Sequence, residues 1–223
     1  MKSISLPAVF LLFCVSVQSQ VQFSLFAGPQ ASTASYTVQG VKQKTTSKYG
    51  GVIGLGLKVP FENRLYFAPS AFYSMKGYKA SFTRFAYPPD TLATDNNTTF
   101  HTFETAFLLQ YDFSSQPNHF LVKFGPSLDF HLFGKEKFNT ATGLVSRNTP
   151  FGYDKYGHYS ANLLLNFGYE MQSGFFILGQ YTHGIASINN ADGGPRIRHR
   201  AFGVSIGTYL GRHKIILDTK NKE

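Results

Sequence analysis

The sequence predicts an all-β protein, an eight-stranded antiparallel up-and-down transmembrane β-barrel, and three observations carry that expectation. The 223 residues include 23 Phe, 13 Tyr and 21 Gly but no Trp, and only 15% are charged. Aromatic residues broken by glycine suit pleated strands, whereas disordered chains are rich in charge and long-helix proteins are rich in Ala, Glu, Lys and Leu. Apolar and polar residues alternate with period two over stretches of ten residues or more. The connections between these stretches alternate short and long, as turns and loops do at the two ends of an outer-membrane barrel.

The N-terminal segment comes first. Lys2 precedes an apolar run over residues 6–17, which is followed by Gln18 and Ser19. A basic start, a short apolar core and small residues before a cut describe a secretory signal peptide. The run falls short of the roughly 20 residues that a spanning helix needs. Cleavage is expected after Ser19, which makes 1–19 the signal peptide. Cys14, the single cysteine, lies within it. Lipid attachment there is disfavoured by the bulky Phe13 where processing wants a small residue. A mature chain without cysteine has neither disulfides nor a thiolate metal site. No later stretch reaches 18 uninterrupted apolar residues, which leaves barrel strands as the route through a bilayer.

Eight strands are expected, at 21–35, 49–60, 65–82, 98–113, 119–133, 157–171, 175–187 and 198–210. In the fourth, Phe103, Phe107, Leu109, Tyr111 and Phe113 oppose Glu104, Ala106, Gln110 and Asp112. In the fifth, Phe120, Val122, Phe124, Leu128 and Phe130 oppose Lys123, Gly125, Ser127, Asp129 and His131. The sixth sets Tyr159, Leu163, Leu165 and Phe167 against Ser160, Asn162, Asn166 and Glu170. The eighth sets Phe202, Val204 and Ile206 against Ala201, Gly203 and Ser205. Residues 62–64, 114–118 and 172–174 make short connections, and 36–48, 83–97, 134–156 and 188–197 make long ones. Both chain ends then fall on the short-turn side, with 20–211 as the barrel domain and 212–223 as a periplasmic tail. That tail lacks the terminal aromatic residue with which many outer-membrane barrels end. Pro69 and Pro126 lie inside expected strands, where proline cannot donate to a ladder.

The two-residue period also sorts the charges. Lys58, Lys76, Glu104, Asp112, Lys123, Asp129 and Glu170 share the parity opposite the apolar face. An eight-stranded ring is just wide enough for side chains to fill it, so charges of both signs should pair in the lumen. In a soluble secreted ligand-binding barrel the orientation is reversed, with the apolar residues inside. The uniform placement of large aromatics on one face favours the bilayer.

Candidate chemistry is sparse. Gly50-Gly51-Val52-Ile53-Gly54-Leu55-Gly56 has the wrong spacing for a nucleotide loop, and Lys58-Val59-Pro60 follows where a helix would be needed. His131, His158 and His199 share the inward parity near the long-loop end and form a candidate rim site for zinc or pH sensing. No close pair at metal-ligand spacing supports it, so no metal and no cofactor is expected. His183 and Ser187 stand roughly 13 Å apart at about 3.3 Å per strand residue, out of reach for a nucleophile and its base. Lys42, Lys44 and Lys48 fall in the first long loop, and Arg196, Arg198 and Arg200 in and after the last. They could contact phosphates of a surface glycolipid, or simply keep the loops solvated. An exported chain has no call on nucleic acid despite its net charge of +9. Asn97-Thr98-Thr99 matches a glycosylation acceptor pattern, which carries little meaning in a bacterial outer-membrane chain.

With the strands laid out, the sequence resembles the PorT-like family of bacterial outer-membrane β-barrels, a porin-family group. The matching words are PSAFYSMKGYK at 69–79, FETAFLLQYDF at 103–113, FGPSL at 124–128, YTHGIASIN at 181–189 and RAFGVSIGTY at 200–209. The resemblance implies an eight-stranded barrel in the outer membrane and accounts for Pro69 and Pro126, and it carries no catalytic residue. The expected protein is a monomer in outer-membrane lipid with a structural or interaction role. Its long loops would meet glycolipid phosphates or other envelope proteins. A narrow passage for small apolar solutes and a lipid-modifying enzyme are the alternatives.

Overall fold

The computed structural model describes residues 21–210; the expected signal peptide, Cys14 and the 212–223 tail lie outside the described residues. The strands are β1 (Gln22–Val38), β2 (Val41–Lys42), β3 (Lys44–Glu62), β4 (Leu65–Phe67), β5 (Ser70–Ser81) and β6 (Asp95–Ala106). They continue with β7 (Leu109–Asp112), β8 (His119–Thr140), β9 (Gly143–Asn148), β10 (Tyr159–Glu170), β11 (Phe175–Gly184) and β12 (Arg196–Leu210).

These strands make an eight-membered antiparallel ring. Strand β1 pairs with β3 on one side and with β12 on the other, from Phe23↔Leu210 to Thr37↔Arg196, and this second pairing closes the barrel. Strands β4 and β5 act as one barrel strand, and so do β6 and β7. Their interruptions at 68–69 and 107–108 keep the ladder intact. The Leu57 amide donates to the Pro69 carbonyl at 2.9 Å, that of Ala68 to Leu108 at 2.7 Å, and that of Phe107 to Pro126 at 2.9 Å. Both prolines serve as acceptors, which is how they fit inside a sheet.

The period-two pattern decides what faces where. Leu25, Ile53, Phe124, Phe167 and Ile206 stand exposed on the outer wall, while Phe26, Phe72, Leu164, Phe176 and Leu178 pack inside. A continuous apolar exterior on a closed ring is the outer face of a membrane barrel.

The loop expectations need correction. Residues 36–48 form no long loop, because β1 runs to Val38 and turns over Gln39 and Gly40, with φ of 46° and 80°, into β2 and then β3. Two consecutive positive φ values match a tight hairpin turn whose twist suits antiparallel strands. Lys42, Lys44 and Lys48 therefore lie on strands, and Arg196, Arg198 and Arg200 all belong to β12. Much of 134–156 is likewise strand, since β8 extends to Thr140 and β9 folds back on it. At these ends the outward residues are polar while Tyr36, Val38 and Phe138 stay buried inside, so the apolar-out alternation that marks a strand in the bilayer is lost while backbone pairing continues.

Strands β1 and β12 approach closely at Gly28, where an added Cβ would lie 1.9 Å from the Val204 carbonyl oxygen. Gly28→Val should therefore prevent closure and abolish the faster-migrating unboiled band in SDS electrophoresis. Gly179→Ala, whose Cβ would meet nothing nearer than 3.6 Å, should retain it.

Candidate functional site

The interior holds two charged clusters separated by an apolar layer. Nearer the short turns, the Lys58 ammonium of β3 donates to Asp112 Oδ2 at 2.7 Å and to Glu170 Oε2 at 2.9 Å. His119, at the start of β8, places Nε2 3.1 Å from Asp112 Oδ2 and 3.6 Å from Glu170 Oε2. Its Nδ1 lies 2.8 Å from the Gln116 carbonyl. Gln110 Nε2 donates to Asp112 Oδ1 at 2.7 Å, and the Tyr66 ring lies 4.4 Å from the Lys58 ammonium.

Asp112, His119 and Glu170 each offer a ligand atom within 4.8 Å of the others, a spacing compatible with a divalent ion. The Lys58 ammonium already supplies the positive charge between the two carboxylates, and an ion would have to displace it. This grouping makes an internal ion-pair network, with the lysine where a metal would sit.

In mid-barrel, Lys76 of β5 donates to Glu104 Oε2 at 2.5 Å and to Asp129 Oδ1 at 2.9 Å. Ser127 donates to the other Glu104 oxygen at 2.6 Å, and Ser160 to Asp129 Oδ2 at 3.2 Å. Lys123 lies between the clusters, its ammonium 5.5 Å from the centre of the Phe176 ring. All seven residues assigned inward by parity are buried. With His119 they comprise four potential cations and four carboxylates.

Among the rim histidines, His131 and His199 are buried with ring centres 6.0 Å apart, both packed around Phe100. His158 does not join them, contrary to its parity. It precedes β10 by one residue, is exposed, and stacks on Phe151 at 4.8 Å. Neither His199 ring nitrogen has a hydrogen-bond partner among the described residues, and the three rings do not aim ligand atoms at one point. Sequence reasoning missed the approach of His131 Nε2 to Ser160 Oγ, at 3.5 Å. That contact is at the limit of a hydrogen bond. Both groups are buried, and Ser160 directs its proton to Asp129, so the pair lacks a reachable nucleophile.

Above the lumen, the loops fold over the outer mouth. Tyr36 donates to the Pro88 carbonyl at 2.8 Å, and Arg147 to Pro89 at 2.7 Å and to Glu136 at 2.7 Å. Tyr156, fully buried, accepts from Asn96 Nδ2 at 3.0 Å and packs edge-on against Phe100. Burial holds the Tyr156 phenol well above its ordinary range and raises the Glu136 carboxyl, with Arg147 pulling the latter back down.

Truncating the shared cation should be costly. Lys76→Ala leaves Glu104 and Asp129 buried without it, and an unpaired buried charge costs about 3–5 kcal/mol. Urea unfolding in detergent should show a loss of that order, with partial recovery in Lys76→Ala/Glu104→Gln/Asp129→Asn.

Several solved structures are similar to the chain. Ail, the attachment invasion locus protein of Yersinia pestis, shares 11% identity with a TM-score of 0.44, covering 85% of this chain and 98% of that one. Neisserial surface protein A shares 12% with a TM-score of 0.43, covering 84% and 97%. OprG from Pseudomonas aeruginosa shares 13% with a TM-score of 0.39, covering 85% and 95%. No curated protein matches the sequence. The outer membrane protein beta-barrel domain model matches residues 16–190, and by that match the chain belongs to the outer-membrane β-barrel family.

Proposed function

We propose that the protein is a closed, non-conducting and non-enzymatic barrel of the bacterial outer membrane, exported by residues 1–19, whose role is structural or lies in contacts made by its exterior. The filled lumen carries this reading. Two interior voids beside Phe72 and Leu164 measure about 20 and 10 Å³, room for a water molecule and little else. Phe26, Phe72, Leu164 and Phe176 fill the section between the charged clusters, and Tyr36, Tyr78, Phe100 and Tyr156 fill the section beneath the loops. Solute passage would require both layers to open.

The contacts left for function are outward ones, to outer-membrane lipid, to surface glycolipid phosphates or to other envelope proteins, made by a monomer. A finer placement with PorT-like barrels rests on the sequence words at 69–79, 103–113 and 200–209. A lipid-modifying activity finds less support, because the His131–Ser160 approach, the one such contact among the described residues, is buried beneath Phe100 and Phe151.

Planar-bilayer recording tests the reading. The full chain should give no discrete conductance steps in neutral lipid, alongside a porin control that does. Reproducible steps from the wild-type barrel would overturn the closed-lumen proposal.

A further inference from the structure

Among the apolar hollows of the outer wall, one lies beside a column of arginines. A groove of about 590 Å³ crosses the outer face of β11, β12 and β1, bounded by Leu165 and Phe167 of β10 on one side and Tyr49 of β3 on the other, within the usual range of about 300–1,000 Å³ for a ligand site. Its lining is almost wholly apolar, and it exists because small residues stand beside large ones. Pro29 and Ala31 of β1 and Gly179 of β11 form low ground next to Tyr181, Phe202 and Val204. Tyr181 and Phe202 hold one another, with ring centres 4.6 Å apart.

The strand that supplies Phe202 and Val204 changes character one step further out. Arg200, Arg198 and Arg196 follow on the same outward parity of β12. They pair with Thr33, Ser35 and Thr37 of β1, just as Phe202 pairs with Ala31. Small hydroxyl residues thus face the guanidinium column, and small apolar residues face the aromatic one. None of the three arginines forms an ion pair among the described residues, and Arg198 Nε is buried without a hydrogen-bond partner. His183 pairs with Arg200 from the other side and accepts or donates a 3.0 Å hydrogen bond with the Tyr181 hydroxyl.

We propose that this face is a binding site for one phosphorylated glycolipid of the outer leaflet, its acyl chain lying in the groove over Gly179 and Ala31 and its phosphates on Arg196, Arg198 and Arg200. The inference rests on the membrane reading above and adds a ligand class and a location to it. Charge complementarity selects the occupant. Three guanidiniums without counter-charges, at the outer end of an apolar trough, match a molecule with a dianionic head and a hydrocarbon tail. Guanidinium binds phosphate through paired, charge-assisted hydrogen bonds.

The test uses the full chain in detergent micelles, with retention of added lipid A read by native mass spectrometry. Wild-type barrel should hold one lipid A, and removal of the phosphates should weaken binding by about tenfold, the scale of one strong charge-assisted contact. Arg196→Gln/Arg198→Gln/Arg200→Gln should reproduce that loss. Gly179→Phe, whose Cβ would meet nothing nearer than 3.6 Å and whose ring would enter the groove, should weaken phosphorylated and dephosphorylated probes alike. A comparison variant, Lys79→Gln/Lys135→Gln/Lys137→Gln, removes exposed positive charge elsewhere and should change retention less than about twofold by the same scale. Equal losses in the lysine and arginine variants would show diffuse rim attraction and overturn the site. So would a dimer peak abolished by Gly179→Phe with lipid retention unchanged, which would make the groove an interface between copies. Heat-dependent mobility is read on every sample. Loss of that shift in the wild type would sink the membrane reading itself, whereas failure of the lipid site leaves the shift intact.

Discussion

The constraint on which the rest depends is the narrowness of an eight-strand ring. Such a ring leaves an interior only wide enough for side chains to fill, so whatever the two-residue period sends inward must be satisfied by other side chains. Here it sends inward lysines, carboxylates, serines and asparagines along with Phe and Leu. The polar groups gather into two networks centred on Lys58 and Lys76, while the apolar residues form layers around Phe72 and Phe100. Each ammonium bridges two carboxylates, and these arrangements join strands that share no ladder. Strand β3 is tied to β7 and β10, and β5 to β8.

The same constraint shapes what the protein can do. With its interior committed to packing and ion pairing, chemistry in the lumen would need a group that is both free and reachable. The His131–Ser160 approach and the Asp112–His119–Glu170 cluster have the residue types for chemistry but not the access, since Phe100 overlies the first and Lys58 occupies the second. On the reading proposed above, function lies at the outer surface, where side chains can differ along a strand without disturbing the ring. The outward column of β12 shows such variation, passing from Ile206 through Phe202 to Arg196 within one strand.

Strand faces were legible in the sequence because inward and outward residues differ so sharply inside a bilayer. Tyr159 to Glu170 could be read almost residue by residue. Strand ends were not, because beyond the bilayer the outward side chains become polar while Tyr36 and Val38 stay buried inside: residues 36–48 contain Lys42, Lys44 and Lys48 and lose the apolar-out pattern, and they pair as strands all the same. The inward parity of the seven lumen charges was readable, but their partners were not. Lys58 meets Glu170 across 112 positions of chain, a register that no local pattern encodes. His119 needed only one further residue of the parity already seen from Phe120 onward. His158 failed for the opposite reason, since parity was extended past the point where β10 begins.

The bridging ammonium groups have a consequence for how the chain assembles. In an open sheet the inward face would be wet, and each lysine and carboxylate would keep its own hydration shell. Curling the sheet strips that water as the partners from separate strands arrive, Lys58 meeting Asp112 and Glu170, and Lys76 meeting Asp129. Curvature and neutralisation of the inner face therefore go together. The unclosed chain stays hydrophilic along one face while it waits, and the shut ring is an object whose charges no longer oppose entry into hydrocarbon.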